Sequence, residues 1–303
     1  MTLETLNAEH AIPDQLSFID GPGGLPFIRV RNSHAEALVS VYAGQVLSYR
    51  PQGASADVLF VSEQAWYQPG KAIKGGVPVC WPWFGADPQG LGRPAHGFVR
   101  NRMWSVWGTA STPAGETQIT LGLVDTPETR ALWPHAFRLA LEITVGATLR
   151  LALSTRNTGD APFDITQALH SYFAVGDIAR TSVTGLDGCR YIDKAAGAGG
   201  AVKQQVGAVH IAAEVDRIYT GVPPTLVIVD DALRRAIRIT SEGSHTAVVW
   251  NPWAAIAAGM ADLKDDEYQR LVCVETANAD NEVVTVPPGA EHCMVAQIAT
   301  VAH

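Results

Sequence analysis

Apolar positions along this chain fall in short runs, most of them alternating with polar ones. FIRVRN, AEALVSVYAGQVLSYRP and DVLFVS open the series. WSVWGTA, QITLGLVD, HAFRLALEITVG, TLRLALSTRN and FDITQALHSYFAV continue it. EVDRIYTGV, TLVIVD, RRAIRITSEG and HTAVVWN come next, and LVCVETAN, EVVTVPPG and HCMVAQIATV close it. The runs are about four to eight residues long, rich in Val, Leu, Ile, Tyr and Phe, and stopped by Gly, Pro, Asn or Asp, as strands joined by turns are. TLRLALSTRN alternates more cleanly than FRLALEITV, and Asn157-Thr158-Gly159-Asp160 supplies a turn after it. The stretch TLRLALSTRNTGDAPFDITQALH therefore reads as an antiparallel hairpin. One helical region is expected, WAAIAAGMADLKDDEYQ, opened by Asn251-Pro252. Residues 195–209 are small and weakly patterned, and read as a surface excursion. With no linker and no repeat of fixed period, the expected architecture is one all-β domain over residues 1–303. Its many antiparallel strands are expected to form two stacked sheets.

One stretch breaks the rhythm. Between Lys71 and Trp104 the chain packs Gly75, Gly76, Pro78, Pro82, Gly85, Gly92, Pro94 and Gly97 among Trp81, Trp83, Phe84 and Phe98. Gly and Pro at that density exclude a long helix and weaken any long strand, which leaves a folded loop carrying large aromatics. The same loop holds Lys71, Lys74, Arg93, Arg100 and Arg102 against the single acid Asp87, an excess of four positive charges in a chain of net charge -8. Such a segment suits the rim of a pocket for an anionic, ring-shaped ligand. It equally suits a structural loop with solvated cations, and its residues alone do not separate the two.

Composition narrows the classes. Apolar residues make up 47% of the 303 positions and charged residues 17%, which fits a folded globular chain rather than disorder or a coiled coil. The acidic balance argues against nucleic acid as the main partner. The opening MTLETLNAEH lacks the apolar centre of a signal peptide, and the small apolar run near Ala254–Ala261 is too short to span a bilayer, so no membrane partner is expected. Cys80, Cys189, Cys273 and Cys293 are far apart with no C-x-x-C pair, which suits reduced thiols in a cytoplasm. Cys80 and Cys273 sit among apolar residues and read as buried fillers.

Few residues stand out as chemical. In ITQALHSYFAV, period-two alternation puts His170 with Thr166, Ala168 and Tyr172, away from the more apolar face of Ile165, Leu169 and Phe173. His96 lies inside the basic loop in PAHGFVR, and His135 lies in WPHAF. A hydrogen-bonded structural imidazole is the ordinary role for any of the three. Glu275 ends the apolar run LVCVE; a carboxyl there loses hydration and holds its proton to higher pH unless a donor compensates, which is what a general base needs. Pairing with an arginine or capping by backbone amides is the alternative. Asp216 and Arg217 in EVDRIY fit a local ion pair. G-x-G-x-x-G, Walker and G-x-S-x-G motifs are missing, and the nine histidines show no metal-ligand spacing. Spacing alone does not join His170 to Glu275 across 105 residues.

KGGVPVCWPWFG followed by PAHGFVRN, then ALHSYFAV, EVDRIY, VVWNPW and VCVETAN in that order, resemble the hexose-6-phosphate mutarotase branch of the aldose 1-epimerase family. The resemblance covers roughly residues 25–300. It implies a galactose-mutarotase-like β-sandwich of twisted antiparallel sheets, and an isomerase that interconverts the α and β anomers of a hexose 6-phosphate, usually glucose 6-phosphate, without a cofactor. It assigns His170 as general acid, Glu275 as general base, Asp216 as a substrate-binding acid and Arg100 as a phosphate-binding base. His96 matches a pocket position. Lys74 stands where the family usually has Arg, which keeps the charge and loses the bidentate fork. Ala95 stands where some members carry Gln. Trp81, Trp83 and Trp250 fit either the sugar or the core. A monomer with a phosphorylated hexose as its partner is expected. A mutarotase of unphosphorylated aldoses and a non-catalytic carbohydrate-binding protein are the other readings.

Overall fold

Three sheets and a two-stranded ribbon account for most of the chain. The computed structural model describes residues 2–302. An N-terminal meander of four strands (Leu16–Asp20, Pro26–Arg31, Ala35–Ser40 and Gln45–Pro51) comes first. A nine-stranded sheet runs from edge to edge as Val209–His210, Thr181–Thr184, Thr225–Asp230, Arg235–Glu242, Glu291–Ala302, Leu149–Asn157, Phe137–Val145, Thr117–Val124 and Ser105–Ser111. An eight-stranded sheet runs Ala201–Gln204, Arg190–Asp193, Val215–Thr220, Thr246–Asn251, Leu271–Asn278, Gln167–Leu169 and Val79–Cys80, with Tyr172–Ala174 also paired to Leu271–Asn278. All the named pairings are antiparallel, and one buried core joins side chains from all three sheets. The all-β sandwich expected from the alternation is present.

Alternation decides what each strand buries. Along Phe137–Val145, Phe137, Leu139, Leu141, Ile143 and Val145 all point into the core, and the residues between them do not. That strand, which alternates less cleanly on paper, forms the true hairpin with Leu149–Asn157, from Phe137 opposite Asn157 to Val145 opposite Leu149. The hairpin expected between Leu149–Asn157 and FDITQALH does not form. Both edges of Leu149–Asn157 are taken, by Phe137–Val145 and by Glu291–Ala302. The buried Asn157 amide donates to the Ala161 and Val286 carbonyls and turns the chain toward Val284–Val286, on which Phe163–Ile165 pairs.

The expected helix is also cut short. Only Trp253–Ala257 is α-helical, and a 3-10 turn follows at Glu267–Arg270. The buried Glu267 carboxylate accepts hydrogen bonds from Ser62, from the Glu63 N–H and from the Lys264 N–H, which folds the segment back on itself. Two helices lie outside the expected region. Leu3–His10 is capped by Thr2, and Pro127–Leu132 starts at a Thr126–Thr129 capping box with Pro at its first turn. The excursion at residues 195–209 is exposed at most positions, though Ala201–Gln204 within it is an edge strand. Among the described residues no helix is long and apolar enough to cross a membrane. All four cysteines are free, with Cys80 and Cys273 fully buried.

Candidate active site

The site grows from the strand Leu271–Asn278, in which every residue is buried. Val272 and Val274 face the core between the sheets, while Cys273, Glu275 and Ala277 belong to the opposite face. Two short strands pair with it in one line, Leu169 opposite Thr276 and Tyr172 opposite Cys273. Between them the ladder breaks. The His170 N–H donates to the Pro78 carbonyl and the Ser171 N–H turns back to Leu169. The break sets His170 beside Glu275, with Nε2 3.4 Å from Oε1. Strand register thus closes the 105-residue gap that spacing left open.

A cavity of about 560 Å³ opens over this pair. Its floor is His170, Tyr172, Glu275, Ile218, Val248 and Trp250. The Lys71–Trp104 loop supplies Lys74, Phe84, Gly85, Ala86, His96 and Arg100, and Asp216, Lys194, Met260 and Asp280 complete it. All six site residues taken from the sequence therefore line one cavity. Of the three tryptophans, only Trp250 does so. Trp81 and Trp83 are buried in the core, where the Trp81 indole N–H donates to Thr155. His135 packs on Trp133 and Phe163 elsewhere.

The loop's charge excess divides. Arg93 is buried against Asp87, Lys71 lies over Trp66, and Arg102 lies over Phe98. Only Lys74 and Arg100 reach the cavity. Lys74 Nζ is 3.5 Å from Asp262 Oδ2. Arg100 donates to the Ala95 carbonyl, and its Nε is buried without a partner among the described residues. The expected Asp216–Arg217 pair does not form, because neighbours on a strand face opposite ways. Asp216 faces the cavity, while Arg217 turns to Gln205 and Tyr219.

Loop geometry fixes His96. It sits at φ +63°, its N–H donates to the Gly85 carbonyl, and the Gly85 N–H donates to its Nδ1. Nδ1 is thereby the acceptor, which leaves the proton of the neutral ring on Nε2. Gly97 follows at φ +75°; a Cβ there would lie 1.8 Å from the Trp81 carbonyl oxygen, so only glycine lets the loop close on the core. The His96 ring centroid is 5.7 Å from that of His170, and Tyr172 stacks on His170 at 4.9 Å with 9° between the planes.

Burial dominates the electrostatics. It raises the Glu275 carboxyl well above the usual range, Asp216 adds to the rise, and Arg100 opposes it. It lowers the His170 imidazole well below the usual range, with His96, Arg100 and Lys74 pushing the same way. It lowers His96 to about 3, helped by Arg100 and Lys74. Asp216 is raised by burial, with Lys194 working against the rise. Among the described residues no three His, Cys, Asp or Glu side chains are grouped to hold a metal ion. An acid–base pair in close contact under a partly cationic roof can move protons on a small polyhydroxylated ligand.

A family model described as aldose 1-epimerase matches residues 26–298. The chain belongs to the aldose 1-epimerase family. Within that family it is 40% identical over 259 residues to an Escherichia coli protein provisionally named glucose-6-phosphate 1-epimerase, covering 84% of each chain. It is 36% identical over 279 residues to a Cenchrus ciliaris protein of the same provisional name, covering 89% of this chain and 83% of that one. A solved structure from Salmonella typhimurium, provisionally named a mutarotase, matches 99% of each chain at 32% identity with a TM-score of 0.88. A galactose mutarotase-like protein from Clostridium acetobutylicum shares the fold at a TM-score of 0.73 and 16% identity. The family fold is thus the galactose-mutarotase-like sandwich. Tyr172, Lys194, Met260 and Asp280 are among the cavity residues that sequence reasoning did not name as site residues. Alternation already grouped Tyr172 with His170; nothing in the sequence marks Lys194.

Proposed function

We propose that this chain is a glucose-6-phosphate 1-epimerase, an isomerase that interconverts the α and β anomers of a hexose 6-phosphate. The observation that carries the reading is the His170–Glu275 pair at 3.4 Å, set in one cavity with Lys74 and Arg100. The relatives named for glucose 6-phosphate support the substrate.

In the reaction Glu275, as carboxylate, takes the proton from the anomeric hydroxyl, and His170, as imidazolium, gives its Nε2 proton to the ring oxygen. The C1–O5 bond opens to the aldehyde. C1 turns about C1–C2, and the two transfers run backward to close the ring on the other face. Glu275 and His170 then regain their starting states, so each turnover leaves the proton count unchanged. Each transfer contributes on the order of 10²- to 10⁴-fold in rate, and orientation in the cavity adds to this. Lys74 and Arg100 hold the phosphate as cations in a partly buried setting. Asp216 accepts from sugar hydroxyls, the Nε2–H of His96 donates to the sugar, and Trp250 and Tyr172 pack its apolar face. Reduced thiols and a phosphorylated substrate suit a cytoplasmic site of action.

Saturation-transfer NMR of anomer exchange tests the reading, with glucose 6-phosphate compared with free glucose and galactose. Fast exchange of the phosphorylated sugar, inhibited by inorganic phosphate, is expected. Equal exchange of the neutral sugars with no phosphate inhibition would leave the chain a mutarotase of unphosphorylated aldoses.

A further inference from the structure

A lysine is a loosely aimed phosphate ligand. Its ammonium carries three donors at the end of a flexible four-carbon stem, and ordering that stem on a ligand costs the rotamer freedom it had before. Lys74 is ordered beforehand, from its backbone outward. Its carbonyl accepts from the Ser62 N–H at 3.1 Å, and two residues later the Gly76 N–H donates to the Phe60 carbonyl at 2.6 Å. Gly75 between them sits at φ +114°, and a Cβ there would lie 2.4 Å from the Phe60 carbonyl oxygen, so this backbone lies flush on Phe60–Ser62. At the other end of the side chain, Nζ is 3.5 Å from Asp262 Oδ2 and 4.0 Å from Met260 Sδ. The Lys74 and Asp262 side chains are each 18% exposed. Lys74 and Met260 line the cavity, while Asp262 stands outside its lining. Asp262 is fixed in turn. Leu263, next in the chain, is buried in the cluster that holds Phe60, Tyr172 and Cys273. The buried Glu267 carboxylate accepts from the Ser62 hydroxyl at 2.6 Å and from the Lys264 N–H at 2.9 Å. Ser62 thus ties both partners, with its N–H on Lys74 and its hydroxyl on the segment that carries Asp262.

We propose that Asp262 is a positioning residue for phosphate binding: from outside the cavity it holds the Lys74 ammonium so that a donor faces the substrate. This rests on a hexose phosphate being the substrate. Of the three ammonium protons, one is directed to Asp262 and one toward the Met260 sulfur, which leaves the third for a phosphate oxygen. The Asp262 carboxylate also has an opposite effect, since its charge repels a dianion. That repulsion is the weaker of the two. Lys74 stands between Asp262 and the cavity, so the phosphate is farther from the carboxylate than the ammonium is, and the cavity is open to water that screens the two anions. The freedom of an unheld lysine stem is not screened. The acid that lowers the net charge beside the cavity therefore improves binding of an anion in it.

Exchange kinetics of Asp262→Ala and Asp262→Asn test this, because the two effects have opposite signs. Asp262→Ala should raise the KM for glucose 6-phosphate and the inhibition constant of inorganic phosphate together, each about tenfold, the worth of the freedom a lysine stem recovers. The kcat should hold, since His170 and Glu275 are untouched. Asn keeps an acceptor for the ammonium and should recover most of the loss. Removing a partly exposed ion pair costs little stability, so both variants should fold, and urea unfolding checks it. In a Lys74→Met background, Asp262→Ala should raise neither constant further. If the native chain exchanges glucose 6-phosphate while Asp262→Ala lowers both constants or leaves them unchanged, the positioning role is refuted and the proposed function stands. An Asn variant as weak as the Ala variant refutes orientation through a hydrogen bond. An equal rise without Lys74, or a fall in kcat with KM unchanged, shows that Asp262 only supports the fold of the segment around it, and this too overturns the proposal. If the native chain does not exchange glucose 6-phosphate, the proposed function fails and this inference with it.

Discussion

Glu275→Gln should stabilise the protein while removing its activity. Glu275 is 2% exposed, and its Oε2 has no hydrogen-bond partner among the described residues. Burial lifts its folded proton affinity above that of the unfolded chain, where a glutamate titrates near 4.5. The sign follows from linkage. A carboxyl with a raised folded value gives stability that is complete below 4.5 and is lost as pH climbs toward the folded value. Each pH unit over which the folded chain keeps this proton and the unfolded chain does not costs about 1.4 kcal/mol. The span from 4.5 to 7 sets a ceiling of about 3 kcal/mol. Gln is isosteric and permanently neutral. Its new N–H needs a partner, and a neutral His170 Nε2 lies where the carboxylate oxygen pointed; a missed bond would cost about 1 kcal/mol. The expected net gain at pH 7 is about 1–3 kcal/mol, closing to nearly zero at pH 4. Urea unfolding at the two pH values measures it as a midpoint shift at unchanged slope. Exchange NMR on the same variant should show a loss of about 10²- to 10⁴-fold. A variant no more stable than native at pH 7, or one with native exchange, would refute the burial argument or the role of base respectively.

Arg100→Ala should raise the KM for glucose 6-phosphate about 10- to 100-fold, the worth of a hydrogen bond to a charged group, and abolish inhibition by inorganic phosphate in exchange kinetics. His96, lowered to about 3 mainly by burial, carries stability that is complete above pH 6.5 and falls as pH drops through that value. Between pH 8 and pH 5, His96→Asn should therefore lose about 2 kcal/mol less stability than native in paired urea titrations.

Much of the fold was legible because strand alternation and turn chemistry are local. The failures came where tertiary contacts override local pattern. TLRLALSTRN carries a clean pattern and a good turn, yet both its edges are filled by other strands, and pairing across a sheet leaves no trace in a window of a few residues. The stretch after Asn251 looks helical until Glu267, buried and bonded to Ser62 and Glu63, bends it back. At the site, Glu275 was marked by its apolar neighbours and His170 by its face. What placed them together is the ladder break at His170–Ser171, which follows from Pro78 taking the His170 N–H. Of the loop's five cations, three satisfy Asp87 or aromatic rings, and no charge count distinguishes them from Lys74 and Arg100.

The outer face of a sandwich sheet is normally wet, and its carboxylates ordinary. Here Cys80, Ala168, Val248 and Ala277 lie buried on that face because the Lys71–Trp104 loop and the segment after Trp253 cover it. The cover that supplies Lys74 and Arg100 is therefore also what dries Glu275, and the two effects separate by mutation. Phe84 lines the cavity without carrying charge, and it packs on the His96 ring at 4.9 Å. Phe84→Ala should admit water, bring the Glu275 carboxyl back toward its ordinary range, and leave Lys74 and Arg100 in place. In a double-mutant cycle, the stabilisation gained from Glu275→Gln at pH 7 should then shrink by about 1 kcal/mol in the Phe84→Ala background. The two substitutions would be expected to add only if Glu275 owed its proton affinity to the fixed charges around it rather than to the dry cover. An additive cycle at pH 7 would therefore place the origin of the shift in Asp216, and the design of the site would rest on charge rather than on exclusion of water.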